Sequence, residues 1–170
     1  MLNPDIANVI ASFTHPTLPR NAEEPTFESI RSIHKLLNQN PTGVLRGAYG
    51  NTLGLLGLTI TRDSYRTLAG RDFVLPTQPA APALPPFASN VQVAEIMRIY
   101  EEEVKQYNKY VATAKALKNQ VLGAFDNDYF LSIYNQATGY EESTVHQLLQ
   151  LLVVGLCVHT RDVYTYVHYQ

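Results

Sequence analysis

Hydrophobic residues recur at steps of three and four along residues 90–122, and this spacing predicts one long α-helix with a single apolar stripe. The stripe consists of Val93, Met97, Tyr100, Val104, Tyr107, Val111, Ala114 and Val121, with Lys118 in the one slot that interrupts it. Charged residues mark the opposite side as the solvated face: Glu101, Glu102, Lys105, Lys109 and Lys115. Because one helix cannot bury such a stripe alone, we expect shorter apolar segments on either side to pack against it.

The N-terminal part of the stripe is the candidate face for self-association. It comprises Val93, Met97, Tyr100, Val104, Tyr107 and Val111. Aromatic residues and methionine are enriched at protein interfaces, which favours this role. For any single one of the six, burial in the chain's own core is the preferred role.

Other segments carry start and stop signals for shorter helices. Asn3 and Pro4 resemble an N-cap followed by proline in the first turn, and they predict a helix that ends near Phe13. A second helix is expected to begin near Thr26 and to end at residues 38–41.

Later capping signals predict further helices. Thr61 is positioned to cap a short helix that stops at Gly70. Residues 123–128 suggest a break after the long helix and a restart at an acidic helix N-terminus. Thr144 and Gln147 form a capping-box pattern that opens a leucine-rich helix.

Two regions predict β-structure. Five glycines interrupt residues 43–60 too often for a stable helix, so we expect a loop or small β-hairpin around Asn51, with residues 55–60 as its better strand. These glycines do not match a phosphate-binding loop, because no Gly-Lys-Ser/Thr signature follows. From Gly155 onward, β-branched and aromatic residues are typical of a strand.

Five prolines mixed with alanine predict a semi-rigid linker at residues 76–89. Overlapping Pro-x-x-Pro spacings also match the ligands of SH3 domains, but the nearest basic residue, Arg71, lies outside the segment, so a connector is the preferred interpretation. The predicted fold is therefore mainly α, with a small β-hairpin or strand and a Pro-rich linker. The predicted divisions are an N-terminal helical subdomain with a Gly-rich β element at 1–75, the linker at 76–89, a helical subdomain at 90–154 and a divergent tail at 155–170.

The net charge of the chain is close to zero. The 170 residues carry a net charge of −2, which favours neither nucleic acid nor a membrane surface. The nearest approach to a basic cluster lies on the long helix, and we take it as a candidate weak RNA contact: Lys105, Lys109, Lys115 and Lys118. The single cysteine, Cys157, suits a reducing compartment. The longest apolar run, at residues 148–158, is shorter than the ~20 residues of a membrane span.

No arrangement of residues indicates catalysis or a cofactor. Cys157 and His159 are one Cys/His pair, whereas a zinc site needs three or four ligands. Ser143 and His146 lie one turn apart, but helix capping accounts for the serine more simply. We therefore predict that the protein is not an enzyme, and that it has no metal, cofactor or small-molecule substrate.

Several ordered stretches together resemble the Gag-like capsid region of copia-type LTR retrotransposons. The stretches that carry this resemblance are His15-Pro16-Thr17-Leu18-Pro19, residues 24–30, residues 54–61 with Tyr65, the Pro/Ala segment, Tyr107-Asn108-Lys109-Tyr110, residues 114–120, and Thr138-Gly139-Tyr140 leading into residues 145–149. They span residues 13–152 in order and with similar spacing.

The resemblance implies a helical, capsid-like structural protein that self-assembles into a particle shell around element RNA, without catalysis. Its partners would be further copies of itself and RNA, in a cytoplasmic virus-like particle. Two features depart from the family: the sequence has no Cys-x-x-Cys…His…Cys zinc knuckle, and residues 153–170 do not continue the pattern. These departures motivate an alternative, a domesticated Gag-derived protein-interaction module.

Overall fold

The structure, a computed structural model, describes the backbone of residues 4–167 and the side chains of residues 4–156. The fold is mainly helical, as predicted. Its α-helices are α1 (Pro4–Ser12), α2 (Phe27–Gln39), α3 (Arg62–Ala69), α4 (Asn90–Ala124) and α5 (Val145–Val167). Short 3₁₀ helices cover Ala48–Gly50, Leu56–Leu58 and Asn127–Ile133.

The capping signals in the sequence identify the helix starts correctly. Thr26 and Ser29 form a reciprocal capping box at α2, and the Thr61 side chain accepts a hydrogen bond from the Ser64 amide at α3. At α5 the Gln147 amide donates to Thr144 Oγ1 at 3.2 Å. Each cap satisfies an amide that the first helical turn leaves without a partner. The predicted cap at Asn3 lies outside the described residues.

The long helix begins at the predicted residue and ends two residues later than predicted. Ser89 and Gln92 form a capping box at its start. Gly123, which we expected at a break, lies inside the last turn, and Phe125 ends the helix in an extended conformation. The restart follows as a 3₁₀ helix, with Asp126 as its cap.

The predicted β-hairpin at residues 43–60 is wrong, because the described chain contains no strand. Left-handed glycines, among them Gly47 at φ 83° and Gly54 at φ 57°, reverse the chain before two extended runs can pair. A Cβ atom on Gly54 would lie 2.4 Å from the Val44 carbonyl oxygen, so the turns are tightly packed. Their hydrogen bonds are local, as in Leu58 N to Leu55 O at 3.0 Å, and form 3₁₀ turns.

The strand predicted beyond Gly155 is also wrong. Helix α5 continues through this region to Val167, crossing the predicted boundary at residue 155. Its capping box and buried leucines establish the helix, and adding a residue to an existing helix costs far less than nucleating one. The β-propensity of valine and tyrosine depends on context and does not prevent this extension.

The hydrophobic core lies around the C-terminal half of α4. It combines residues from α1, α2, α4 and α5 with Phe13, Phe125 and Phe130 from the connecting segments. Leu117, Val121 and Ala124 have no exposed surface. Segments before and after residues 76–89 therefore contribute to one core.

A buried amide network joins the α1–α2 connection to α4. The Asn40 side chain accepts from the His15 amide at 2.9 Å and donates to Gln120 Oε1 at 2.9 Å. The Gln120 amide group donates in turn to the carbonyl oxygens of His15 and Pro16. Both amide side chains are buried, so each hydrogen bond compensates a group that water does not reach.

We predict that Asn40→Ala lowers the free energy of unfolding by about 2–4 kcal/mol, because it removes these bonds and leaves buried polar groups without partners. Urea denaturation of the two proteins measures the difference. Asn119→Ala, at an exposed position beside Gln120, is the matched control and should change stability by less than about 0.5 kcal/mol. An equal, small effect of both substitutions would contradict the role of the network.

Candidate functional site

The candidate self-association face lies on the half of α4 that projects from the core. Every buried residue of α4 lies at Ala112 or beyond, so residues 90–111 contribute none. Of the six candidates, Met97 and Val111 are 36% and 38% exposed. The other four are half-buried: Val93, Tyr100, Val104 and Tyr107. The six candidate residues thus lie outside the main core. Val121, near the other end of the predicted stripe, is the one apolar stripe residue of α4 that is fully buried.

Helix α1 packs on one side of α4. Between them lies an open groove of about 560 Å³, and its α4 side includes Val104, Lys105 and Lys109. Polar side chains from both helices, such as Asn8 and Asn108, line much of it. Val104 lines this groove, whereas no residue of α4 before Glu101 does.

Residues 71–74 are fixed against the glycine-rich turns. The Asn51 side chain bonds both the amide and the carbonyl of Val74, at 2.9 and 2.7 Å. The Phe73 ring packs edge-on against Tyr65, and a Cβ on Gly57 would lie only 2.2 Å from this ring. Asp72 binds Arg62 and Arg66 of α3, and these hydrogen bonds hold the pKa of its carboxyl well below the ordinary value. The Pro-rich segment therefore follows residues that are bound to the glycine-rich turns and to α3.

The Pro-rich segment is partly packed along its first half. Pro76 is buried and Pro79 and Pro82 are half-buried, whereas the residues between them are exposed. This spacing of three matches the period of polyproline II, in which every third side chain lies on the same edge. One edge of residues 76–88 therefore faces the protein. We call this segment the strap.

The strap ends in an exposed apolar tip, formed by Leu84, Phe87 and Val91. The Phe87 side chain is fully exposed, and its backbone has a φ of 64°, a left-handed conformation that is strained for a bulky residue. Val91 is 79% exposed. The prolines around Phe87 predict only a connector, so the tip was not predicted from the sequence.

A cavity of about 370 Å³ lies at the other end of the strap. Its apolar lining consists of Leu58, Leu75, Tyr107, Tyr110, Val111, Ala114 and Val145. The Tyr107 and Tyr110 rings lie 5.8 Å apart, and burial raises the pKa of the Tyr110 phenol. The structure thus brings Tyr107 and Val111 of the candidate face together in a pocket, away from Val93 and Met97.

The four candidate lysines do not form one surface. Lys105 and Lys109 are exposed. Lys115 pairs with the Glu141 carboxylate at 2.7 Å, and this hydrogen bond lowers the pKa of Glu141. Lys118 is buried, and its ammonium donates to the carbonyl oxygens of Tyr140, Glu141 and Ser143. The Lys118 ammonium is therefore bound to the turn before α5.

The ammonium of Lys118 is held by carbonyl dipoles. Burial lowers its pKa, and the nearby Glu141 carboxylate opposes that effect. Its three hydrogen bonds fix the 140–143 turn on α4, directly before the capping box at Thr144. The arrangement explains why a lysine interrupts an apolar stripe.

Comparison of the chain with protein-family models, with curated proteins and with solved structures found no match. Across the described residues, no helix combines the length and apolar character needed to cross a membrane. Within the same part of the chain, no three His, Cys, Asp or Glu side chains are grouped as a metal site. The side chains of Cys157 and His159 lie outside the described residues.

We predict that Lys118→Met lowers the free energy of unfolding by about 2–4 kcal/mol, because three part-buried carbonyl groups lose their donor. Thermal and urea denaturation measure this loss. Lys109→Met, which removes an exposed lysine from the same helix, serves as the control and should leave stability nearly unchanged. If Lys118→Met were as stable as the control, the proposed anchoring of the turn would be wrong.

Proposed function

We propose that the protein is a Gag-like structural subunit of a copia-type retrotransposon, which self-assembles into a capsid-like particle around RNA in the cytoplasm. The ordered resemblance across residues 13–152 supports this proposal. A mainly helical fold is compatible with it. The proposed activity is structural rather than catalytic.

The observation that carries the self-association part is the exposed apolar surface at the N-terminal end of α4. Leu84, Phe87, Val91 and Ile99 are exposed large apolar side chains that lie close together along the chain. Several exposed large apolar side chains within one short stretch favour an interaction site, because leaving them in water forgoes the free energy of burial. A subunit that assembles offers this surface to its neighbours.

RNA binding is the weaker part of the proposal. Lys105 and Lys109 present exposed ammonium groups on α4, and Lys115 is half-buried beside Glu141. Glu101 and Glu102 lie on the same solvated side and reduce the local positive potential. We therefore propose a weak, salt-sensitive contact with phosphates rather than recognition of bases.

The alternative is a domesticated Gag-derived interaction module that binds another protein. The same exposed tip favours this alternative, since its apolar side chains suit any partner with a complementary pocket. The two proposals differ in what covers the tip, a copy of the chain or a different protein. Measurement of mass in solution separates them.

We predict that the purified chain grows in mass with concentration, to dimers and then larger species. Light scattering after size exclusion, from micromolar to near-millimolar protein and with or without single-stranded RNA, measures this growth. Particles visible by electron microscopy at the highest concentrations would support a shell. A strict monomer in every condition would overturn the assembly proposal and favour the interaction module.

We predict that Lys105→Gln combined with Lys109→Gln weakens RNA binding without loss of stability. The slope of log affinity against log salt should fall by roughly 0.7 for each phosphate that the variant no longer neutralises. Fluorescence anisotropy with a labelled single strand at several salt concentrations gives this slope. Lys35→Gln, at an exposed position on α2, is the control that removes a lysine elsewhere. Equal effects of the control and the double variant would refute RNA binding at α4.

A further inference from the structure

The cavity at the start of the strap has walls that the fold holds in place. Its lining comes from α4, from the start of α5 with the segment before it, and from Leu58 and Leu75. Leu75 follows Val74, whose amide and carbonyl groups both bond the Asn51 side chain. Val145 belongs to the hydrophobic core. The cavity is therefore formed before a ligand enters it, and this lowers the free-energy cost of binding.

The charged groups of the lining compensate one another. Lys115 pairs with the Glu141 carboxylate at 2.7 Å. The Lys118 ammonium donates to three carbonyl oxygens, so all three of its N–H groups are used. Glu142, the remaining charged residue of the lining, is exposed. These four described residues sum to zero charge and include no unpaired cation, so the lining offers an anionic ligand no partner.

The apolar part of the lining is aromatic on its α4 side. The rings of Tyr107 and Tyr110 have centroids 5.8 Å apart, and both tyrosines line the cavity with Val111. A further aromatic ring packs favourably against such rings, either edge-on or offset. Neither phenol hydroxyl bonds another described residue. Each hydroxyl can therefore donate to, or accept from, a polar group of a ligand.

The size of the cavity limits the size of the ligand. An apolar cavity of about 150 Å³ holds one benzene ring, whereas this cavity has about 370 Å³. It therefore has room for about two fused or linked rings with a short substituent. Pockets for small molecules in proteins begin at about 300 Å³ and combine apolar walls with a few polar groups.

We propose that this cavity is a binding site for a small, uncharged aromatic molecule of about two rings that carries one hydrogen-bonding group. Its rings lie against Tyr107, Tyr110 and Val111, and its polar group bonds a tyrosine hydroxyl. The site binds this molecule and does not convert it. The inference goes beyond the proposed function, because a single chain supplies the whole lining.

The probe for this site is prodan, an uncharged naphthalene ketone whose fluorescence shifts to shorter wavelength in apolar surroundings. Its carbonyl oxygen can accept a hydrogen bond from a tyrosine. Titration of the dilute natural chain should saturate at one probe per chain. Anilinonaphthalene sulfonate, an anionic probe of similar size, should bind at least about tenfold more weakly, because its charge has no partner in the lining. A titration that does not saturate, or tighter binding of the sulfonate, would overturn the proposal.

A carboxylate placed in the lining tests the location of the probe. Leu75→Asp should weaken prodan binding at least about tenfold, because the bound ring would desolvate the new charge. Leu84→Asp is the matched control, since the two leucines are 57% and 51% exposed and Leu84 is not part of the lining. The control should bind prodan as the natural chain does. Equal affinities of the two variants would show that the probe binds elsewhere.

Filling the cavity is an independent test, and the natural chain contains no tryptophan. Val111→Trp places a single indole in the lining, where it should emit at shorter wavelength than in water. This indole takes the space of the ligand and should weaken prodan binding at least about tenfold. Val91→Trp, at a 79% exposed position on the first turn of α4, is the control and should bind prodan normally. Normal binding by Val111→Trp would refute the site.

The tyrosine hydroxyls are tested by removing them while both rings remain. Tyr107→Phe combined with Tyr110→Phe should weaken prodan binding about three- to tenfold, the loss expected for one hydrogen bond. Circular dichroism of each variant checks that its helices are intact. An unchanged affinity would overturn the hydrogen bond that the proposal assigns to the ligand.

Sedimentation at the same protein concentrations separates this inference from the proposed function. Saturable binding to monomers supports the site whether or not the chain forms particles at higher concentration. Binding that appears only together with larger species would place the probe between copies and overturn the inference, while self-assembly would stand.

Discussion

The packing of α2 and α5 around the last turns of α4 is the interaction on which the rest of the structure depends. Leu117, Val121 and Ala124 are completely buried there, together with Leu37 and Leu148. Close-packed apolar side chains of this kind supply most of the favourable free energy of a small domain. The glycine-rich turns pack against this region through Val44 and Leu58, and the first half of α4 projects from it.

Polar groups determine how the connecting segments attach to that region. Asn40 and Gln120 bind the carbonyl of His15, and Lys118 binds the turn at residues 140–143. Each polar side chain stands where an irregular segment meets α4 and satisfies backbone groups that lack a helical partner. Apolar packing in the core stabilises the contacts between helices, and these polar side chains determine where the connecting segments attach.

The sequence predicted the helices well because their signals are local. Caps at Thr26, Thr61 and Thr144 depend on a few adjacent residues, and the long helix has a nearly uninterrupted period. The hairpin at residues 43–60 was wrong because glycine frequency shows where a chain turns but not what its ends pair with. The strand beyond residue 155 was wrong because propagation of α5 outweighed the preference of individual residues.

The candidate site was predictable only in part. Periodicity located an apolar face on α4 but not which half of it the core would use. That depends on where α2 and α5 dock, which is a tertiary property. Lys118 appeared as one of four similar lysines, and only the fold places carbonyl oxygens around it. Phe87 had no periodic partner, so nothing in its neighbourhood distinguished it from linker.

The division of α4 into a packed half and a projecting half has a consequence for its motions. Amide hydrogens at residues 112–124 lie against the core and exchange with solvent chiefly when the whole domain opens. Those at residues 90–111 belong to the half of α4 that has no buried residue, so smaller local openings expose them. One continuous helix therefore spans two levels of protection, and the step between them falls near Val111, where the cavity lies.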